Sequence, residues 1–189
     1  MKRLDYEQTA IPCAYFITFT CYGAWLHGEI TSVDPKHNIY DTGFLTQNPA
    51  RNASENMRMT EPPYLLNVPQ RQIVLNTIKE VCNYRGWVLL AAHVRTNHVH
   101  LVIHANILPE KIMNTIKSYA SRHLNASNLD GDRINRWTRH GSTRYLWKKE
   151  AVESAIHYVV YEQGKPMSVF ENVTRSFDVN QLLVQSHDG

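Results

Sequence analysis

Cysteine is scarce in this chain of 189 residues. There are three, Cys13, Cys21 and Cys82, an odd number with no Cys-x-x-Cys pair. That argues against a disulfide framework and a thiolate zinc site, and fits reduced thiols in a core. No apolar run approaches the roughly 20 residues of a membrane-spanning helix. The first residues, Met1 to Glu7, lack the apolar centre of a signal peptide, so a cytoplasmic protein with no membrane partner is expected. Internal repeats and low-complexity tracts are missing as well. Strong net charge is also lacking: the balance is +3, too small to name a partner by itself. Hydrophobic residues make up 43% and charged residues 20%, which excludes a disordered chain. The length suits one domain spanning 1–189, with a core at about 14–166 and a less readable tail at 167–189.

One local absence is more telling. Between Arg133 and Lys149 there is no acidic residue, whereas Arg133, Arg136, Arg139, Arg144, Lys148 and Lys149 are all basic. Trp137, Tyr145 and Trp147 are interleaved with them. Cations bind phosphates and aromatic faces stack on bases, so the mixture fits single-stranded nucleic acid. A solvated loop leading into a strand would look the same.

Residues 14–22 are rich in aromatic and β-branched side chains and stop at Gly23, which predicts a strand. Alternation places Tyr15, Ile17, Phe19 and Cys21 on its core face and Phe16, Thr18 and Thr20 on the other. Residues 24–67 contain Asp34-Pro35, Asn48-Pro49 and Pro62-Pro63 without a sustained period. They are expected to form a long loop insertion, with short strands near Phe44 and a role as a nucleic-acid clamp. Pro69 opens a helix that Gly86 closes, burying Ile73, Val74, Thr77, Ile78, Val81 and Cys82. Strands follow at 87–93 and from His98, joined by the turn Arg95-Thr96-Asn97. A second helix runs from Pro109 to about Leu124. Ile112, Ile116 and Tyr119 share one face, and Lys111, Lys117 and Arg122 are assigned to the others. Residues 142–147 form a fourth strand, and a third helix ends at Gly164-Lys165-Pro166. Strand, helix, strand, strand, helix, strand is the ferredoxin-like split βαβ order. The expected fold is therefore α+β, an antiparallel βαββαβ sheet with two helices on one face and a C-terminal tyrosine-bearing helix.

His98-Val99-His100 sits on the third strand of that scheme. Residues two apart point the same way, about 7 Å apart, so the two imidazoles share the face opposite the helices and can hold a divalent metal between them. The pair alone reads more readily as two polar residues on a wet face, and context elsewhere has to raise the metal reading. Arg95 and Asn97 flank it and could contact phosphate. His93, on the neighbouring strand, could support the pair from behind; it and His104 read better as polar residues or DNA contacts than as ligands. On the third helix, Val152, Ala155, Ile156 and Val159 form the buried stripe at about 100° per residue. Tyr158 lies on its edge, with Glu162 four residues on, while Tyr161 points away. A phenol ionises near pH 10 and is a weak nucleophile at neutral pH. A metal that polarises a phosphodiester would lower the charge barrier to its attack.

With these residues the chain resembles the single-tyrosine HUH transposases of bacterial insertion sequences, a group that includes the REP-associated tyrosine transposases. The HUH motif, His, a bulky hydrophobic residue and His, matches His98-Val99-His100. The resemblance implies Tyr158 as nucleophile, forming a covalent 5′-phosphotyrosine. It also implies Mg²⁺ or Mn²⁺ as cofactor and single-stranded DNA with hairpins as partner. A homodimer whose helix serves the partner's histidines and a monomer are both compatible with it. In the family the third metal ligand is a Gln, Asn or similar residue one turn after the tyrosine. Regular helix geometry favours Glu162 there and amide chemistry favours Gln163. Arg136, Arg139, Arg144, Lys148, Lys149 and Trp137 join Arg95 and Asn97 as expected DNA contacts. Two rivals stand against this reading. A histidine-triad nucleotide hydrolase needs a third His at the position of Val102. A non-catalytic nucleic-acid module would use Phe16 to stack bases but leaves the paired histidines unexplained.

Overall fold

The computed structural model describes residues 11–24 and 59–173. Strand β1 spans Ala14–Cys21, helix α1 Val68–Arg85, β2 Val88–Val94 and β3 His98–His104. Helix α2 then spans Pro109–Ser127, β4 Trp137–Leu146, helix α3 Lys149–Tyr161 and β5 Ser168–Glu171. The strands lie in the order β4-β1-β3-β2-β5, and every neighbouring pair is antiparallel. The first four strands with α1 and α2 are the expected βαββαβ arrangement. Of the insertion assigned to 24–67, positions 25–58, with the strands expected near Phe44, lie outside the described residues. Strand β5 falls in the stretch where the sequence was hardest to read: its four residues, Ser-Val-Phe-Glu, are too few for a period to stand out.

Local chemistry explains the helix ends. Asn67 and Gln70 form a reciprocal capping box at the start of α1, satisfying two backbone N–H groups that would otherwise lack partners. Gly86 closes the helix in the left-handed region at φ 67°, and its N–H meets the carbonyls of Asn83 and Cys82. Pro109 begins α2, where its missing N–H costs nothing.

Each face of the sheet has its own core. On one, Tyr15, Ile17, Phe19, Leu101 and Ile103 pack against Val74 and Ile78 of α1 and Ile112 and Ile116 of α2. On the other, Ala14, Leu90, Ala91, Val102 and Leu146 pack against Val152 and Val159 of α3. The break in register between Leu89 and Ala91 turns both Leu90 and Ala91 toward α3, as a β-bulge does. All three cysteines are free and buried. Among the described residues no helix is long and apolar enough to cross a membrane.

Lys117 corrects an expectation. It does not lie on an outer face of α2 but is buried. Its Nζ donates to the carbonyls of Thr138 (3.0 Å) and His140 (3.1 Å) on β4. There β4 slips register against β1, so backbone acceptors need a side-chain partner. Burial lowers the Lys117 pKa to about 8.

Gly141 permits the close approach of β4. A Cβ there would lie 2.5 Å from the Thr18 carbonyl oxygen and 2.5 Å from Met113 Sδ. The first of these is backbone and cannot move aside alone. Gly141→Ala is therefore expected to destabilise the protein by about 1–3 kcal/mol through overpacking, read as a lower urea midpoint with unchanged slope.

Candidate functional site

Cross-strand register sets the frame. His93 of β2 lies opposite His100 of β3, which lies opposite Thr18 of β1, which lies opposite Ser142 of β4. Opposite residues share a face, so this row and His98 project toward α3. The imidazole centroids of His98 and His100 are 4.7 Å apart, with planes at 71°. The hairpin turn before them is stitched down: Leu66 N–H donates to the Thr96 carbonyl and Cys21 N–H to that of Asn97, both at 2.7 Å.

Each ring has an orienting partner. His98 donates its Nδ1–H to Asn97 Oδ1 at 2.7 Å. His100 Nδ1 lies 2.8 Å from Thr18 Oγ1, and with Thr18 as acceptor Nδ1 carries the proton there too. Such contacts fix the tautomer of ligating histidines and direct Nε2 at the ion. Burial lowers the His98 pKa to about 4, helped by Arg95 and His93. Burial also lowers that of His100 to about 3, with His98 and His93 assisting and Gln163 opposing. Both rings are thus neutral near pH 7, the state in which imidazole binds metal.

Helix α3 brings Tyr158 to the same place. Its ring centroid is 5.8 Å from that of His100 and 5.9 Å from that of Phe16. Phe16 in turn stacks on His100 at 5.7 Å and 26°. The phenol is anchored on one side and remains 40% exposed. Tyr161 points away, and its hydroxyl donates to Glu171 Oε2 at 2.7 Å.

The two third-ligand candidates part company. Glu162 turns outward, and its Oε1 lies 2.8 Å from His157 Nδ1. The Gln163 side chain reaches the His100 ring and donates from Nε2 to the Tyr158 carbonyl at 3.2 Å. The geometric preference for Glu162 assumed a regular helix. However, α3 ends at Tyr161, and Glu162 has φ −103° and ψ 7°, so the wheel no longer applies at position 163. Among the described residues no three His, Cys, Asp or Glu side chains group as a metal site. The cluster is two neutral imidazoles and an amide, a donor set that fits a divalent cation.

The family model of IS200-like transposases matches residues 64–159. The chain belongs to this family. The matched stretch contains His98, His100 and Tyr158 and stops short of Glu162 and Gln163. Among solved structures, the transposase is similar to a REP-associated tyrosine transposase bound to a REP hairpin. Identity there is 13% and the TM-score 0.48, over 84% of this chain and 72% of that one. No curated protein matches.

The basic stretch of the transposase divides in two. Arg139, Arg144, Lys148 and Lys149 are exposed, Lys149 with Glu153 at 3.8 Å. Arg144 lies opposite Phe16, on the histidine face. Tyr145 and Trp147 stack on each other at 5.9 Å and 17° and are also exposed. Arg95 is half-buried and donates to the Lys165 carbonyl at 3.3 Å. The expectation of DNA contact is corrected for Arg136 and Trp137. Arg136 is buried, with Nη2 2.9 Å from Asp130 Oδ1. Trp137 packs edge-on against Phe19 and donates from Nε1 to Ser121 Oγ at 3.0 Å. Strand β4 begins at Trp137, earlier than expected, which draws both residues into the sheet's margin. His104 lends its Nδ1–H to the Cys13 carbonyl at 2.9 Å.

Two outcomes follow. Arg136→Ala should cost about 3–5 kcal/mol of stability by stranding a buried carboxylate, and Arg139→Ala under about 0.5 kcal/mol, both by chemical denaturation. For the histidines, folded pKa values below the ordinary 6.5 mean that the neutral rings stabilise the fold fully above that value. This stability is lost as pH falls toward 4 and then 3. In ¹⁵N NMR with chelator present, His98 and His100 should stay neutral at pH 5, where an exposed histidine is protonated.

Proposed function

We propose that this transposase is a metal-dependent HUH enzyme that cleaves and rejoins single-stranded DNA, hairpin-bearing strands included, with Tyr158 as nucleophile. The observation that carries the reading is the approach of the Tyr158 ring to 5.8 Å from His100 within one chain. The approach of Tyr158 and Gln163 to the histidines of their own chain supports a site assembled within one chain.

The chemistry is a transesterification. Tyr158 gives up its phenolic proton to surrounding water, and its oxygen attacks phosphorus as the bond to the deoxyribose 3′ oxygen breaks. The 3′ oxygen leaves and takes a proton from water, and the 5′ phosphate stays esterified to the tyrosine. A later 3′-hydroxyl attacks the same phosphorus and expels the phenol, so the strand is rejoined without a nucleotide cofactor. His98, His100 and Gln163 would hold Mg²⁺ or Mn²⁺, the nitrogen donors favouring Mn²⁺. When bound, the cation would polarise the phosphodiester and offset charge on its oxygens. The exposed Arg139, Arg144, Lys148 and Lys149, with Arg95 and Asn97 at the turn, supply phosphate contacts. The stacked Tyr145 and Trp147 offer a platform for unpaired bases. The small net charge of +3 matters less than this local clustering.

Incubation with single-stranded oligonucleotides, with and without hairpins, and Mn²⁺ should yield a denaturation-resistant protein–DNA adduct. Tyr158→Phe should abolish it, and an adduct that persists in that variant refutes the assignment. Gln163→Ala should weaken Mn²⁺ binding, followed by electron paramagnetic resonance, about tenfold or more. Glu162→Ala should change it less than about twofold; the reverse ranking would make Glu162 the ligand.

A further inference from the structure

His93 is buried completely on the sheet face that carries the paired histidines, directly opposite His100 in the register. Both its ring nitrogens are engaged, and neither by the site. Nδ1–H donates to the Val159 carbonyl at 2.9 Å, and Nε2 accepts from the Met167 N–H at 3.2 Å. A carbonyl can only accept and an amide N–H can only donate, so the ring is the neutral Nδ1–H tautomer. These partners bracket a short piece of chain. Val159 follows Tyr158 directly, and Met167 stands just before β5. Between them lie the end of α3, Gln163, and Gly164 at φ 70°. One imidazole thus fastens both ends of the segment that presents Gln163, and one of its two bonds falls on the residue next to the phenol.

The packing of α3 makes this fastening important. Of its thirteen residues only Val152 and Val159 are fully buried, whereas α1 and α2 each bury seven. Ala151, Ala155, Ile156 and Val160 pack beside the two valines only partly buried, and such contacts hold a helix against a sheet but leave its rotation and slide loosely set, because apolar burial is non-directional. A hydrogen bond is directional, and in a buried setting its loss leaves a polar group without a partner.

We infer that His93 is a positioning residue, the strut that sets Tyr158 and Gln163 over His98 and His100. This rests on the reading of Tyr158 as nucleophile. Both ring nitrogens of the buried His93 are taken up by backbone groups, so its removal should slow the chemical step and leave DNA affinity alone.

The test uses the full chain and three variants. His93→Phe keeps a ring and loses both hydrogen bonds. His93→Asn places an amide N–H near the position of Nδ1 and keeps the bond to Val159. His93→Gln reaches toward Met167 but cannot meet Val159, and serves where the Phe variant does not fold. Hydrogen exchange, measured without DNA or metal, should quicken at least tenfold in residues 158–167 of the Phe or Gln variant, with β1 and α1 unchanged. At saturating hairpin-bearing oligonucleotide and Mn²⁺, adduct formation in a single turnover should slow at least tenfold. The dissociation constant for the same oligonucleotide should stay within twofold, and His93→Asn should recover most of the rate. Unchanged exchange in residues 158–167, or loosened exchange with an unchanged adduct rate, overturns the inference. So does a loss that falls wholly on DNA affinity. An adduct that survives Tyr158→Phe in a chain with His93 intact instead overturns the reading of Tyr158, and the strut's role with it, without any His93 variant being needed.

Discussion

The seating of α3 on the histidine face of the sheet is the contact on which everything else depends. A ferredoxin-like sheet covers one face with two helices and leaves the other open. Here Ala14, Leu90, Ala91, Val102 and Leu146 make that second face apolar along one side, while Thr18, His98 and His100 keep the remainder polar. Val152 and Val159 sit on the apolar part, each fully buried side chain worth roughly 1.5–3 kcal/mol by area. The boundary between the two zones is where Tyr158 lands. Phe16 marks it, packing with the apolar cluster and stacking on His100. The bulge in β2 contributes by turning two consecutive residues toward the helix, which widens the apolar landing without lengthening the strand.

The electrostatic state of the site follows from the same seating. Two imidazoles side by side in open water would bind protons below about pH 6.5. Covered by α3 and set next to each other and to His93 and Arg95, they are held neutral instead. Desolvation is the larger cause and neighbouring positive charge the smaller. Lone pairs on Nε2 are therefore available without competition from protons across the physiological range, and Asn97 and Thr18 keep the rings from turning. The helix that delivers the phenol thus also dries the imidazoles.

Much of this was legible in the residues. Strict alternation in β1 and β3 assigned faces correctly, because one face is apolar and a slip would reverse every side chain. The edge position of Tyr158 followed from the helical period. What failed did so for identifiable reasons. The wheel placed Glu162 beside Tyr158 because it assumed that the helix continued, and the chain leaves helical geometry at that very residue. Lys117 looked like a surface cation because a lysine usually is one; only the register slip of β4 against β1 creates acceptors for it inside. Arg136 was counted with its basic neighbours because its partner Asp130 lies just outside the acid-free stretch. The first turn of β4 and the four residues of β5 were too short or too mixed to show a period.

The thin anchorage of α3 suits the role proposed for Tyr158, which requires it to meet a large substrate. A tyrosine buried all round would be held rigidly but could not meet a phosphodiester. A tyrosine on a fully solvated helix would be accessible but unplaced, at a cost in effective concentration that proximity is meant to remove. The arrangement here divides the labour. Full burial is confined to two valines, direction comes from hydrogen bonds to a single buried ring, and the phenol keeps one side on Phe16 and His100 and the other open. Functional groups are best held when neighbouring residues lock them from behind. In this chain the lock is placed one residue after Tyr158 and across from one of the two imidazoles that Tyr158 approaches, so the two halves of the site are referenced to the same row of the sheet.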